Sequence, residues 1–198
     1  MNKQELLILF KELRDIEYIN VGNDATYAYR RDKDTLKIFF QGSHGELDWW
    51  HNFDFPAAPY ERMYQKWYCH RGFLKVWKSV EPFIEELIKD DTVKYIMIIG
   101  YSHGGALAQL CHEYCKYNRK DAFVQTYAFG APRVIFGLMP YELKQRFEGL
   151  YIIINGWDIV PHLPPNLFGF RHVGKKIKVG NDKHPIKAHT AYDKVLAE

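Results

Sequence analysis

Ser102 stands in Gly100-Tyr101-Ser102-His103-Gly104, between the apolar run VKYIMIIG (residues 93–100) and an alanine-rich segment with helical character. A serine hydroxyl is a weak nucleophile until a base takes its proton, and that base needs a third group to orient it. G-x-S-x-G at the end of a buried strand and the start of a helix is the sequence context of a nucleophile held in a sharp turn. The flanking glycines admit that turn without side-chain collision, and Gly105 and Ala106 let the helix lie close to the sheet. The competing reading makes Ser102 an ordinary helix cap.

A nucleophile at a strand–turn–helix junction is followed in the chain by an acid and then a histidine. Among the acids after Ser102 are Asp121, Glu142, Glu148, Asp158 and Asp182. Only Asp158 closely follows a continuous apolar strand, LYIIIN, which sets it at the carboxyl edge where Ser102 must lie. Asp121 precedes its strand and belongs at the opposite edge. As a plain turn residue in NGWDIVP, Asp158 needs no catalytic role. His162, His172, His184 and His189 come later. His162 is close to Asp158 in sequence and His172 falls in a strand, leaving His184 and His189 before the last helix. His189 is favoured because HTAY opens a helix that anchors it; His184 stays open. No H-x-x-x-H or H-E-x-x-H pair suggests a metal, and nothing calls for a cofactor.

Those residues need a scaffold. ATYAYRR and TLKIFFQ read as two strands joined by a charged turn, and GFLKVWKSVEPFIEELIK as a helix with Pro82 marking a kink or break. VKYIMIIG, AFVQTYAFG and LYIIIN are strands, alternating with helices over about 104–117 and through most of FGLMPYELKQRF. GFRHVGKKIKV reads as a strand or hairpin, and AHTAYDKVLAE as one closing helix. The alternation predicts an α/β fold with a mostly parallel sheet flanked by helices, and ligands outside the carboxyl ends of its strands. Residues 42–70 read as a long irregular segment.

The 198 residues suit a single domain (1–198), and 47% hydrophobic with 26% charged residues is globular composition. A formal net charge of +3, with scattered basic residues, gives no case for a nucleic-acid partner. Three cysteines, Cys69, Cys111 and Cys115, form neither a disulfide framework nor a zinc pattern. With no signal-peptide pattern and no membrane-length apolar run, the expected location is cytoplasmic, release by lysis or another route aside. Oligomeric state is open.

Taken together, these segments resemble the class 3 (fungal-lipase-like) lipases of the α/β-hydrolase superfamily. FFQGSHGELDWWHNFDF resembles that family's oxyanion segment, HRGFLKVW its H-x-G-F helix start, and YSHGGALAQL its nucleophile segment. TYAFGAPRV, NGWDIVPHLPP and HTAY follow in family order, so the matches span roughly residues 25–192. The resemblance implies an α/β-hydrolase fold with Ser102 as nucleophile, Asp158 as acid and His189 as base. It also implies an oxyanion hole formed by Ser43 and the backbone N–H of His103. Gln41, Ser43 and His103 depart from the residues commonest at these places.

The implied activity is hydrolysis of carboxylic esters, of acylglycerols or similar lipids, through an acyl-enzyme. The alternatives are a phospholipase A1, a small soluble esterase, or a non-catalytic lipid-binding protein on the same fold. The partners are a lipid or small ester substrate and a transient contact with a lipid surface. The aromatic stretch 49–68 falls at the family's lid position, though its rings would equally serve to pack that loop onto the sheet. LPPNLFGF (163–170) reads either as a wall of an acyl pocket or as a buried connection.

Overall fold

The first helix, α1 (Lys3–Asp15), begins where its sequence supplies a reciprocal cap. Asn2 Oδ1 accepts from the Glu5 N–H at 2.9 Å, and Glu5 Oε2 accepts from the Asn2 N–H at 3.0 Å. Leu6, Leu9, Phe10 and Leu13 recur at helical spacing and are its buried residues. The structure is a computed structural model describing residues 2–22, 25–42, 56–62 and 65–198, with the side chains of 61, 62, 65 and 66 left out.

The remaining elements, in chain order, are β1 (Ile19–Asn20), β2 (Thr26–Asp32), β3 (Thr35–Phe40), β4 (Ala57–Arg62), β5 (Gln65–His70), α2 (Arg71–Ile88), β6 (Tyr95–Tyr101), α3 (His103–Asn118), β7 (Phe123–Phe129), β8 (Ile135–Phe136), α4 (Tyr141–Gln145), β9 (Leu150–Asn155), β10 (Phe170–Arg171), β11 (Lys175–Val179), α5 (Pro185–Thr190) and α6 (Tyr192–Ala197). The main sheet has the order β1-β2-β3-β6-β7-β9-β11. Its strands β3, β6, β7, β9 and β11 are parallel, while β1 pairs with β2 and β2 with β3 antiparallel. Side chains alternate across it. Ile96, Ile98, Ala128 and Ile152 join Trp77, Val80 and Leu107 of α2 and α3 in one core, while Ile99, Phe129 and Ile153 join Leu6, Phe10 and Tyr192 of α1 and α6 in the other. Parallel strands covered on both faces read as continuous apolar runs, which is why VKYIMIIG and LYIIIN stand out in the sequence.

Several local expectations are revised. Helix α2 runs unbroken through Pro82. Pro82 is exposed, so the carbonyl one turn earlier that loses its N–H donor can turn to water. FGLMPYELKQRF contributes Phe136 to the two-residue β8 and only the short α4, and the closing segment splits into α5 and α6 at Ala191. Residues 57–62 and 65–70, read as irregular, form the antiparallel pair β4–β5. It pairs with β8 and β10 in a second, antiparallel sheet of order β10-β8-β5-β4. Tyr60 and Trp67 of this strand pair are buried against each other at 4.5 Å, and Trp77 Nε1–H donates to the Tyr60 hydroxyl at 3.1 Å. For these two rings packing onto the fold is what is found; Trp49, Trp50, Phe53, Phe55 and Tyr64 lie outside the described residues. Among the described residues no helix is long and apolar enough to cross a membrane.

His112 of α3 is fully buried, its Nδ1 2.8 Å from Thr126 Oγ1 and its ring stacked on Phe147. Burial pushes its pKa down to about 3 from an ordinary value of 6.5. The folded state therefore refuses a proton that the unfolded chain accepts. The linkage costs nothing above pH 6.5, grows as pH falls below it, and levels off only near the folded value. By pH 5 this residue alone removes about 2 kcal/mol of stability. Denaturant midpoints at pH 7 and pH 5 check this: the loss on acidification should shrink by about that amount in His112→Asn.

Candidate active site

The strand β6 ends at Tyr101 and α3 begins at His103, so Ser102 alone makes the turn. Its φ of 53° and ψ of −120° lie in a region that residues with a Cβ rarely enter. Close approach on both sides enforces that geometry. A Cβ on Gly100 would fall 2.3 Å from the Gly104 carbonyl oxygen, and one on Gly104 would fall 2.1 Å from the Phe40 carbonyl oxygen. The Ser102 backbone is fixed by its N–H donating to the Phe129 carbonyl at 2.9 Å. The hydroxyl makes no cap hydrogen bond to α3, so the helix-cap reading of Ser102 finds no support in its contacts.

Ser102 Oγ lies 2.9 Å from His189 Nε2, and both residues are buried. His189 Nδ1 lies 3.0 Å and 2.9 Å from the two carboxylate oxygens of Asp158. Three chain segments thus meet at the carboxyl ends of β6, β7 and β9, although His189 is 87 residues from Ser102. A neutral imidazole with its proton on Nδ1 donates to Asp158 and presents Nε2 to accept from the serine hydroxyl. Asp158 is fully buried and has further donors. The Val160 N–H reaches Oδ1 at 2.9 Å, and the Tyr192 hydroxyl reaches Oδ2 at 2.7 Å. Burial and the neighbouring carboxylate push the Tyr192 pKa well above its ordinary value, so the hydroxyl keeps the proton it donates. The same hydroxyl accepts from the Asn155 N–H at 3.0 Å.

The other sequence candidates fall elsewhere. His184 caps α5, its Nδ1 accepting from the Lys187 N–H at 3.3 Å, which gives it a structural task at the start of that helix. Asp121 sits at the opposite edge and pairs with Arg119 at 2.9 Å. His103 opens α3 directly after Ser102, its ring 5.5 Å from that of Phe73. Ser43 lies outside the described residues. Within LPPNLFGF, Leu167 is 91% and Phe168 59% exposed, whereas Phe170 is buried, so the segment is neither wholly a wall nor wholly a buried connection.

Two contributors escaped the sequence reading. Tyr192 gave no signal beyond lying three residues after His189. Arg133, in AFGAPRV, donates through Nη1 to the carbonyls of His162 and Pro164, tying the end of β7 to the loop that carries Asp158. A buried arginine just past a strand end was the available clue.

Residues 37–168 match the family described as Lipase (class 3). A secreted mono- and diacylglycerol lipase of Fusarium solani is 30% identical over 157 residues, covering 76% of this chain and 46% of its own length. A secreted mono- and diacylglycerol lipase of Malassezia globosa is 33% identical over 115 residues, covering 54% of this chain and 36% of its own. A solved triacylglycerol lipase, titled as having a serine protease triad at its catalytic centre, superposes with a TM-score of 0.72 at 26% identity. It is covered over 65% of its length and covers 83% of this chain. The chain spans less than half the length of these two curated relatives, and it shares the α/β-hydrolase fold of the solved one.

The expectation of a cytoplasmic location is overturned, since both curated relatives are named as secreted. The sparse cysteines do not argue against secretion. Cys69, Cys111 and Cys115 form no disulfide and are buried, and burial raises the Cys69 thiol to about 12. The Cys69 thiol therefore stays protonated and is shielded from oxidants, so its persistence says nothing about the compartment.

Proposed function

The chain belongs to the class 3 lipase family, and from that premise we propose that it is a serine hydrolase of carboxylic esters, acting on acylglycerols or similar lipid esters. One observation carries the reading: a serine in a strained turn, 2.9 Å from an imidazole nitrogen whose partner nitrogen meets a buried carboxylate.

Ser102 Oγ attacks the ester carbonyl while His189 Nε2 takes its proton. Asp158 holds the imidazole in the required tautomer and offsets the positive charge that forms on it. The tetrahedral oxyanion points at the start of α3. The first N–H groups of a helix lack intrahelical acceptors, so the backbone N–H of His103 serves as one donor. Ser43 is assigned as the second. His189 then protonates the leaving alcohol, and the acyl-enzyme is hydrolysed by water through the same base. The 198 residues act as one catalytic domain, and, by likeness to the secreted relatives, outside the cell.

The experiment is hydrolysis of p-nitrophenyl esters of increasing acyl length, followed by mono-, di- and triacylglycerols. Turnover that rises with chain length and extends to acylglycerols is the expected result. Turnover confined to short esters would make the protein a small esterase, and cleavage only of phospholipids a phospholipase. No turnover of any ester would overturn the reading.

A further inference from the structure

Resting on that reading of Ser102 and His189, we propose that Tyr101 is a positioning residue that holds the catalytic imidazole and favours its protonated form during turnover. The ring of Tyr101 stacks on that of His189 with centroids 5.0 Å apart and planes 22° from parallel. Its hydroxyl donates to the His189 backbone carbonyl at 2.8 Å. One side chain thus grips both the ring and the main chain of the base. Tyr101 is also the residue immediately before the nucleophile, so one residue links the turn that carries Ser102 to the plane of His189.

The grip is itself braced. Tyr101 is 6% exposed, with Phe10 of α1 edge-on to its ring at 5.4 Å and Tyr192 of α6 at 5.9 Å. Neither face of the contact can relax without disturbing the core between α1 and α6. Among the described residues, the polar groups facing His189 are Asp158 from the loop after β9, Ser102 from the β6–α3 turn, and the Tyr101 and Tyr192 rings. On its own helix stand the exposed Lys187 and the capping His184.

Asp158 offsets the imidazolium charge through the ring edge, and Tyr101 does so through the ring face. A cation within about 6 Å of a tyrosine ring centroid is attracted by the π-electron density, more strongly where water is excluded. The attraction is strongest when His189 carries the proton taken from Ser102, so it favours the transition state over the resting enzyme.

Two variants separate the parts of the contact. Tyr101→Phe keeps the ring and deletes the hydroxyl bond; Tyr101→Leu deletes both. Each is measured for kcat and KM on an ester, for the pH profile of kcat/KM, for the pH profile of Ser102 labelling by a fluorophosphonate, and for thermal midpoint. For Tyr101→Leu, kcat falls about tenfold with KM unchanged. The acid limb of both profiles moves about one pH unit lower, because an imidazolium that has lost its π-partner gives up its proton more readily. For Tyr101→Phe, kcat falls about threefold and the limb stays in place.

A lowered thermal midpoint in Tyr101→Leu with an unmoved limb would reduce Tyr101 to a packing residue and overturn the inference. Equal limbs and equal kcat losses in the two variants would do the same, by placing the whole effect in the hydroxyl. If the wild type neither turns over an ester nor labels at Ser102, the parent reading fails, and that result is distinct from either of these.

Discussion

Replacing Ser102 by alanine is expected to lower kcat on any ester substrate by about 10⁴-fold or more while lowering stability by only about 1 kcal/mol. The loss is large because nucleophile and base act as a unit: without Oγ, His189 has no proton to take and no acyl-enzyme can form. The stability half follows from the hydroxyl's contacts. Ser102 Oγ makes no cap hydrogen bond to α3, so alanine forfeits only its 2.9 Å hydrogen bond with His189 Nε2, worth about 1 kcal/mol. Alanine also retains the Cβ and with it the strain of φ 53°. Ser102→Gly supplies the control, because glycine adopts that backbone freely. It should be as inactive as the alanine variant yet more stable by about 1 kcal/mol. Steady-state kinetics with denaturant midpoints for both variants check the pair. Residual turnover within tenfold of wild type in either one would remove Ser102 from the chemistry.

The meeting of Ser102, Asp158 and His189 was legible in the sequence because each follows a local rule. Glycines bracket the serine, an apolar parallel strand ends just before the acid, and a helix start anchors the histidine. The family match runs from 37 to 168 and so stops short of His189. What singles out His189 over His184 in space is that α5 turns the two in different directions, one to Asp158 and the other to its own backbone. The second sheet was not legible. Its strands β8 and β10 are two residues each, and its pairings join residues far apart in sequence, such as Cys69 with Ile135 and Phe136 with Phe170. No periodicity develops over two residues, and register of that kind is set by tertiary packing. Tyr192 was missed for a related reason. The chain breaks at Ala191 between α5 and α6, so its hydroxyl reaches Asp158 along a path that simple helical spacing from His189 does not describe.

Gly130 carries the second large effect, through space rather than chemistry. It follows β7 with φ +51°, and a Cβ placed there would fall 2.8 Å from Asp158 Oδ2, 2.9 Å from His189 Cε1 and 3.0 Å from His189 Nδ1. A methyl group at this point would sit against the hydrogen bond between acid and base. The backbone cannot easily retreat. The Gly130 N–H donates to the Ile153 carbonyl at 2.9 Å, and the preceding Phe129 carbonyl holds the Ser102 N–H. In Gly130→Ala the Asp158–His189 pair must therefore open. A displacement of about 1 Å in a catalytic group costs on the order of 10²-fold in rate, and kcat is expected to fall at least that far. The left-handed backbone adds a stability penalty of about 1 kcal/mol, which by itself would not touch kcat. Gly137→Ala separates the two causes. Its φ is +81°, but a Cβ there meets nothing within 4 Å, so it carries the backbone penalty without the collision. Comparable destabilisation in both variants, with kcat lost only in Gly130→Ala, would locate the effect at the acid–base contact. Equal kcat in both would mean that His189 and Asp158 shift together without cost, and that the 2.9 Å contact between them does not limit the rate.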